Sequence, residues 1–128
     1  MLSKYYDFKD ILIKPKSSII NSRNDINLIC NNSFKNNLYW SGIPIICSNM
    51  TTTGTFDVYK VLSQNKIITA FNKFYKLEDY LNYNNNNNNK LDVNLFMIST
   101  GISDNDYDNL TNILDNFECK FILIDIAN

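Results

Sequence analysis

The sequence predicts an α/β protein built on a parallel sheet, and three observations carry that reading. Four short apolar runs recur along the chain, segments with helical spacing separate them, and polar residues cluster after each run. Continuously apolar strands separated by amphipathic helices mark a parallel sheet covered by helices. At 128 residues the chain is one domain of ordinary size, long enough to bury a core.

The segment before Ile43 is polar, carries Lys14-Pro15-Lys16, and reads as an extended arm over residues 1–40 with one short hairpin. Residues 41–128 then hold the strands and helices. Ile43 to Cys47 (IPIIC) is the first strand, and Phe56 to Leu62 (FDVYKVL) has helical spacing. Ile67 to Phe71 (IITAF) is the second strand, with a helix from Leu77 to about Tyr83. Leu95 to Ser99 (LFMIS) is the third. Asp106 to Phe117 puts Tyr107, Leu110, Ile113, Leu114 and Phe117 on one helical face. Phe121 to Ile126 (FILIDI) is the fourth strand. Asn84 to Asn89 is a tract of six asparagines, poor helix formers that cannot bury themselves, and reads as a solvated loop. Periodicity alone does not separate an open doubly wound sheet from a section of a (β/α)8 barrel. Both place function at the C-terminal ends of the strands.

Composition excludes several classes. Net charge is −1, with 12 basic residues matched by 13 acidic ones, so there is no electrostatic case for nucleic acid. No polybasic block suggests a membrane surface, and no apolar run approaches the ~18 to 20 residues that span a bilayer. The opening MLSKYYDFKDILIKPK has scattered charge and no apolar stretch, so a secretory signal is not expected. Cys30, Cys47 and Cys119 are odd in number and widely spaced, which fits reduced thiols in a cytoplasmic protein. Histidine is absent, so neither a zinc site nor a Ser-His-Asp triad is expected within the chain.

Polar residues follow each strand: Ser48, Asn49, Met50 and Thr51 to Gly54 after the first, Asn72 and Lys73 after the second. Thr100, Gly101 and Ser103 follow the third, and Asp125 and Asn128 close the fourth. These ends would converge on one mouth able to hold a small polar ligand, or serve only as loop and cap residues. Lys73 either neutralises a phosphate or carboxylate or extends its stem to the surface. Asp125, among apolar neighbours, carries a desolvation cost unless partnered, a property enriched at functional sites. Arg23 in the arm is either a surface residue or a phosphate ligand. Neither GxGxxG nor GxxxxGK[ST] occurs.

Six motifs in order then resemble one family, the GMP reductases of the IMP dehydrogenase/GMP reductase superfamily. Asp7 to Lys16 is similar to its F-x-D-V-L-(L/I)-(R/K)-P-K opening, and Asn21-Ser22-Arg23 to its K-S-R. Ser41 to Phe56 (SGIPIICSNMTTTGTF) resembles S-G-(V/I)-P-I-I-A-(A/S)-N-M-D-T-V-G-T-F. Thr69 to Tyr75 resembles T-A-(V/I)-H-K-H-Y, Ser99-Thr100-Gly101 resembles S-(S/T)-G, and Ile124 to Asn128 resembles (L/I)-D-V-A-N. Gly54-Thr55-Phe56 and the short connection from Tyr83 to Leu95 favour the reductase over the dehydrogenase, which carries a regulatory domain at that point.

The resemblance implies an N-terminal arm plus about four βα units of a (β/α)8 TIM barrel. It implies NADPH-dependent reductive deamination of GMP to IMP in a cytoplasmic homotetramer. Ser22, Arg23, Lys73, Asp125, Ile126, Ala127 and Asn128 would contact the cofactor, and Asn49 and Met50 the nucleotide. The family's nucleophilic cysteine and its monovalent cation, K+, belong to a later part of the barrel. None of the three cysteines here matches that nucleophile, and Cys47 falls where the family has alanine and reads as a small core residue. Thr51 stands for the family aspartate, Asn72 and Phe74 for two histidines, and Ile126 for valine. Two other readings stand beside the reductase: a truncated or decayed non-catalytic member, and an IMP dehydrogenase.

Overall fold

The computed structural model describes residues 6–35, 37–86 and 90–126. Residues 6–28 lie exposed along their whole length. The hairpin forms at the end of that arm and reaches past it. β1 (Cys30–Ser33) pairs antiparallel with β2 (Tyr39–Gly42). Asn37, in the connection, takes φ 57°, a left-handed conformation that asparagine tolerates better than most residues. Tyr39 Oη donates to Asn31 Oδ1 at 2.7 Å across the pair. Trp40 anchors the hairpin, because its ring is buried and its Nε1–H donates to the Asn94 carbonyl at 2.8 Å.

The main sheet has four parallel strands in the order β3 (Ile46–Cys47), β4 (Ile68–Ala70), β5 (Phe96–Thr100) and β6 (Ile122–Ile124). Each falls within or beside its predicted apolar run. The first is shorter than predicted, since only Ile46 and Cys47 find partners, in Ile68 and Thr69. Ahead of them Pro44 supplies no N–H, and the Ile43 N–H bonds to the Lys66 carbonyl instead.

The helices begin where local chemistry can satisfy their free N–H groups. α1 (Phe56–Leu62) is capped by Thr55, whose Oγ1 accepts from the Val58 N–H at 3.3 Å. Ahead of α2 (Leu77–Asn86), Asp79 Oδ2 accepts from the Lys76 N–H at 2.7 Å. α3 (Asp104–Asn116) opens on a reciprocal capping box between Ser103 and Asp106. α2 runs on through Asn86, so the first half of the asparagine tract is helical and not loop. Tyr80 and Tyr83 hold this helix to the core, and Asn84 Oδ1 accepts from the Leu91 N–H at 2.9 Å, so packing overrides a weak helix propensity. Residues 87–89 lie outside the described residues.

The helix-side core is largely aromatic. Tyr59, Phe71, Tyr80, Phe96, Ile98 and Ile113 are buried together, with Phe56 stacked on Tyr75 and Tyr83 at 4.6 and 4.8 Å. Each such fully buried side chain contributes roughly 1.5–3 kcal/mol of transfer free energy. On α3, Ile113 is buried and Leu110 packs against the core, as does Phe117 just past the helix end, but Tyr107 and Leu114 stay exposed. Tyr107 lies instead on a cleft of about 480 Å³ between α3 and β6, with Leu110, Ile122 and Ile124. Register sets Ile122 beside Ile98 and Ile124 beside Thr100. The two isoleucines therefore look toward the helix layer, yet 46% and 64% of their surface is exposed. Among the described residues no helix is long and apolar enough to cross a membrane.

Candidate functional site

Parallel strands carry their loops to the same end, and the four C-terminal loops of this sheet form a polar mouth. The loop after β3 is the most structured of them. Thr53 and Gly54 turn back so that both their N–H groups reach the Met50 carbonyl, at 3.1 and 2.7 Å. Thr53 Oγ1 donates to the Ser48 carbonyl at 2.9 Å and lies 3.1 Å from Ser48 Oγ, closing the loop on itself. This folding presents Asn49, half-buried, and Met50, exposed. Cys47 is half-buried and aims Sγ at the Thr53 carbonyl, 3.6 Å away, so it supports the loop as well as filling space.

Gly54 lies against the end of β4. A Cβ there would come 2.5 Å from the Ala70 carbonyl oxygen and 2.9 Å from both the Asn49 Cα and the Asn72 nitrogen. The Gly54 carbonyl accepts two hydrogen bonds from Asn72, from the backbone N–H at 3.0 Å and from Nδ2 at 3.1 Å. Asn72 Oδ1 in turn accepts from the Phe74 N–H at 3.2 Å. Lys73, between these anchored residues, is half-buried, and its Nζ lies 5.9 Å from the Phe74 ring centre.

Across the mouth, Asn49 Nδ2 donates to Asp125 Oδ2 at 3.0 Å. Asp125 is further fixed by its own N–H, which donates to the Thr100 carbonyl at 2.8 Å. The loop after β3 and the end of β6, 76 residues apart, are thus joined by one side-chain bond. The carboxylate expected to be buried among apolar residues is exposed, so solvent and Asn49 offset its desolvation cost. Ile126 stands exposed beside it. In the first turn of α3, Asp106 is held below the usual carboxylate range, first by the Ser103 hydroxyl, then by the Ser103 backbone N–H, with Lys73 and Lys76 adding a smaller effect.

Not every expected residue joins this mouth. Ser22 and Arg23 lie on the exposed arm, where Ser22 Oγ accepts from the Asn24 N–H at 3.2 Å and caps a short 3-10 turn over Arg23–Asp25. No residue of that turn is buried. Ala127 and Asn128 lie outside the described residues. Gly54 and Asn72 were legible as motif letters only; that they meet, and that one carbonyl ties them, was not. The remaining cysteines are remote from the mouth in role. Cys30 is exposed on the hairpin, and Cys119 donates to the Phe121 carbonyl while burial pushes its thiol up. Among the described residues no group of His, Cys, Asp and Glu is arranged to hold a metal ion.

No family model matches the chain. The GMP reductase of Escherichia coli O81 (strain ED1a) is 42% identical to it over 123 residues, which are 94% of this chain and 35% of the relative. The GMP reductases of Escherichia coli K12 / DH10B and Shigella boydii serotype 18 match with the same identity and coverage. The chain therefore spans about a third of the length of the curated relatives it matches. Among solved structures, the inosine 5′-monophosphate dehydrogenase of Legionella pneumophila superposes with a TM-score of 0.65 at 18% identity. That superposition covers 94% of this chain and 35% of the dehydrogenase, and at such identity it speaks for the fold alone.

Proposed function

Because the chain belongs to the IMP dehydrogenase/GMP reductase family, as a region about a third as long as its relatives, we propose that it supplies the nucleotide-facing and cofactor-facing loops of an NADPH-dependent GMP reductase. The single observation that carries this reading is the Asn49–Asp125 hydrogen bond. It joins the loop expected to meet the nucleotide to the strand end expected to meet the cofactor.

The proposed reaction breaks the C2–N bond of GMP, delivers a hydride to C2 and, with a proton taken up by the departing nitrogen, releases ammonia. NADPH, when bound, supplies that hydride. The donor set of the mouth fits such a group. Lys73 offers a cation to a phosphate. Asp125 keeps acceptor capacity beyond its one bond to Asn49, and Ile126 offers an apolar surface beside it. Ser22 and Arg23 fit only if the arm is brought to a mouth, and the homotetramer expected of the family would do this from a neighbouring subunit. Asn49 and Met50 hold the purine nucleotide, and the rigid loop behind them fixes where its ring sits. Cytoplasmic localisation belongs to the same proposal.

Thr51, Asn72 and Phe74 favour a second reading, a non-catalytic member that retains nucleotide binding. Two measurements separate them. The isolated chain mixed with GMP and NADPH is expected to show no NADPH oxidation. The same 128 residues joined to the complementary two thirds of the Escherichia coli GMP reductase are expected to oxidise NADPH only when GMP is present. A folded chimera that binds GMP without turnover would establish the non-catalytic reading. Reduction of NAD+ with IMP would establish a dehydrogenase.

A further inference from the structure

We infer that Asn72 is the positioning residue of the mouth, locking the nucleotide loop to the strand end that carries Lys73; the inference rests on the reading of Asn49 and Met50 as nucleotide contacts. Asn72 is buried, with 7% of its surface exposed, so its polar atoms cannot rely on water. Both sides of its amide are used in a way that fixes the amide's orientation. Nδ2 donates to the Gly54 carbonyl at 3.1 Å, and Oδ1 accepts from the Phe74 N–H at 3.2 Å. The first bond reaches 18 residues back along the chain to the loop after β3. The second holds the turn on which Lys73 sits. One side chain therefore sets the loop behind Asn49 and the lysine relative to each other.

The geometry leaves little freedom for a substitute. The loop approaches so closely at Gly54 that only backbone separates it from Ala70 and Asn72. Within that contact the Gly54 carbonyl already accepts the Asn72 N–H at 3.0 Å, and the side-chain bond stops the loop from pivoting about it. Asparagine supplies a donor and an acceptor at the same distance from the backbone. Alanine supplies neither. Aspartate keeps the acceptor for Phe74 but turns a carboxylate toward the Gly54 carbonyl. Histidine, the residue of the resembling motif, supplies a ring N–H at nearly the position of Nδ2.

The test uses the 128-residue chain with two readouts, amide hydrogen exchange without ligand and titration with GMP and IMP. In Asn72→Ala, exchange at Thr53, Gly54 and Phe74 is expected to quicken roughly tenfold, the scale of one or two hydrogen bonds; in Asn72→Asp, which keeps the acceptor for Phe74, the same quickening is expected at Thr53 and Gly54 alone. Exchange at Phe96, Ile98 and Ile113 is expected to stay unchanged. Nucleotide affinity is expected to fall roughly tenfold in both variants and to recover to within about threefold in Asn72→His. Exchange that quickens everywhere alike would make Asn72 an ordinary core residue and overturn the inference. So would unchanged loop exchange, or an unchanged affinity once the loop is freed. If the unaltered chain binds neither GMP nor IMP, the nucleotide assignment of Asn49 and Met50 fails, and with it the positioning role, whereas local loop exchange would still report the clamp itself. The two failures are thereby told apart.

Discussion

Replacing Gly54 by alanine adds a single methyl group at the tightest point of the mouth. Gly54 does not have a positive φ, so the substitution carries no penalty from a left-handed backbone. Its cost is purely one of space. The new Cβ would sit 2.5 Å from the Ala70 carbonyl oxygen and 2.9 Å from both the Asn49 Cα and the Asn72 nitrogen. All three are backbone atoms, and none can rotate away as a side-chain tip would. Relief requires the loop after β3 to lift by roughly half an ångström to one ångström. That movement stretches the two hydrogen bonds from Asn72 to the Gly54 carbonyl, worth roughly 0.5–1.5 kcal/mol each. Overpacking adds about 1–3 kcal/mol. The expected loss therefore lies at about 2–6 kcal/mol, toward the lower end because the bonds are stretched and not broken. Urea unfolding followed by the fluorescence of Trp40, the one tryptophan of the chain, measures it. Gly101→Ala is the control, since the atoms its Cβ would meet are the carboxylate of Asp106, a side chain able to shift, and about 1 kcal/mol is expected. Equal losses for the two variants, or a Gly54→Ala loss below about 0.5 kcal/mol, would refute the claim that the loop is clamped on β4.

Three further outcomes are expected. Burial pushes the Tyr80 hydroxyl well above the ordinary tyrosine range, with Cys119, Asp79 and Tyr75 adding to it. The folded state thus favours the proton, so this stability is full below the unfolded value near pH 10 and is lost as pH rises beyond it. Tyr80→Phe should flatten the alkaline limb of the stability curve, and an unchanged limb would assign that limb elsewhere. The Asp106 carboxyl has the opposite sign. Its stabilisation is present above the ordinary carboxylate value and lost as pH falls through the lowered one, so Asp106→Asn should weaken the acid dependence of unfolding. Trp40→Phe removes the bond to the Asn94 carbonyl and should cost about 1–2 kcal/mol in urea unfolding followed by circular dichroism; no loss would mean that the hairpin is not anchored through the indole.

How much of this was readable beforehand depended on the range of the interaction concerned. The strand and helix positions follow local patterns, and Ile67 to Phe71 or Leu95 to Ser99 announce themselves by continuous apolarity. Boundaries moved where a tertiary partner intervened. Asn84 to Asn86 are helical because Tyr80 and Tyr83 hold that helix to the core, and nothing within the asparagines themselves signals it. Tyr107 has the spacing of a core residue, yet it sits over the open cleft beside β6, because spacing says which side of a helix is apolar and not how far its cover extends. In the mouth, the residue types were visible and the bonds between them were not. The Asn49–Asp125 and Asn72–Gly54 pairs span 76 and 18 residues, and no local pattern encodes a partner at that distance.

The substituted positions acquire a different meaning from this geometry. Thr51 is exposed in its loop, and none of the bonds that close the loop passes through its side chain. A threonine there removes a negative charge without dismantling the support of Asn49. Phe74 is exposed too, and the contact that matters structurally at its position is its backbone N–H, which any residue except proline would provide. Asn72 alone among the three is buried, and its side chain makes the bonds that its surroundings require. The three departures from the family pattern therefore leave the loop closed and the Asn49–Asp125 bond in place, so the geometry of the mouth does not depend on the residues that were replaced at positions 51 and 74.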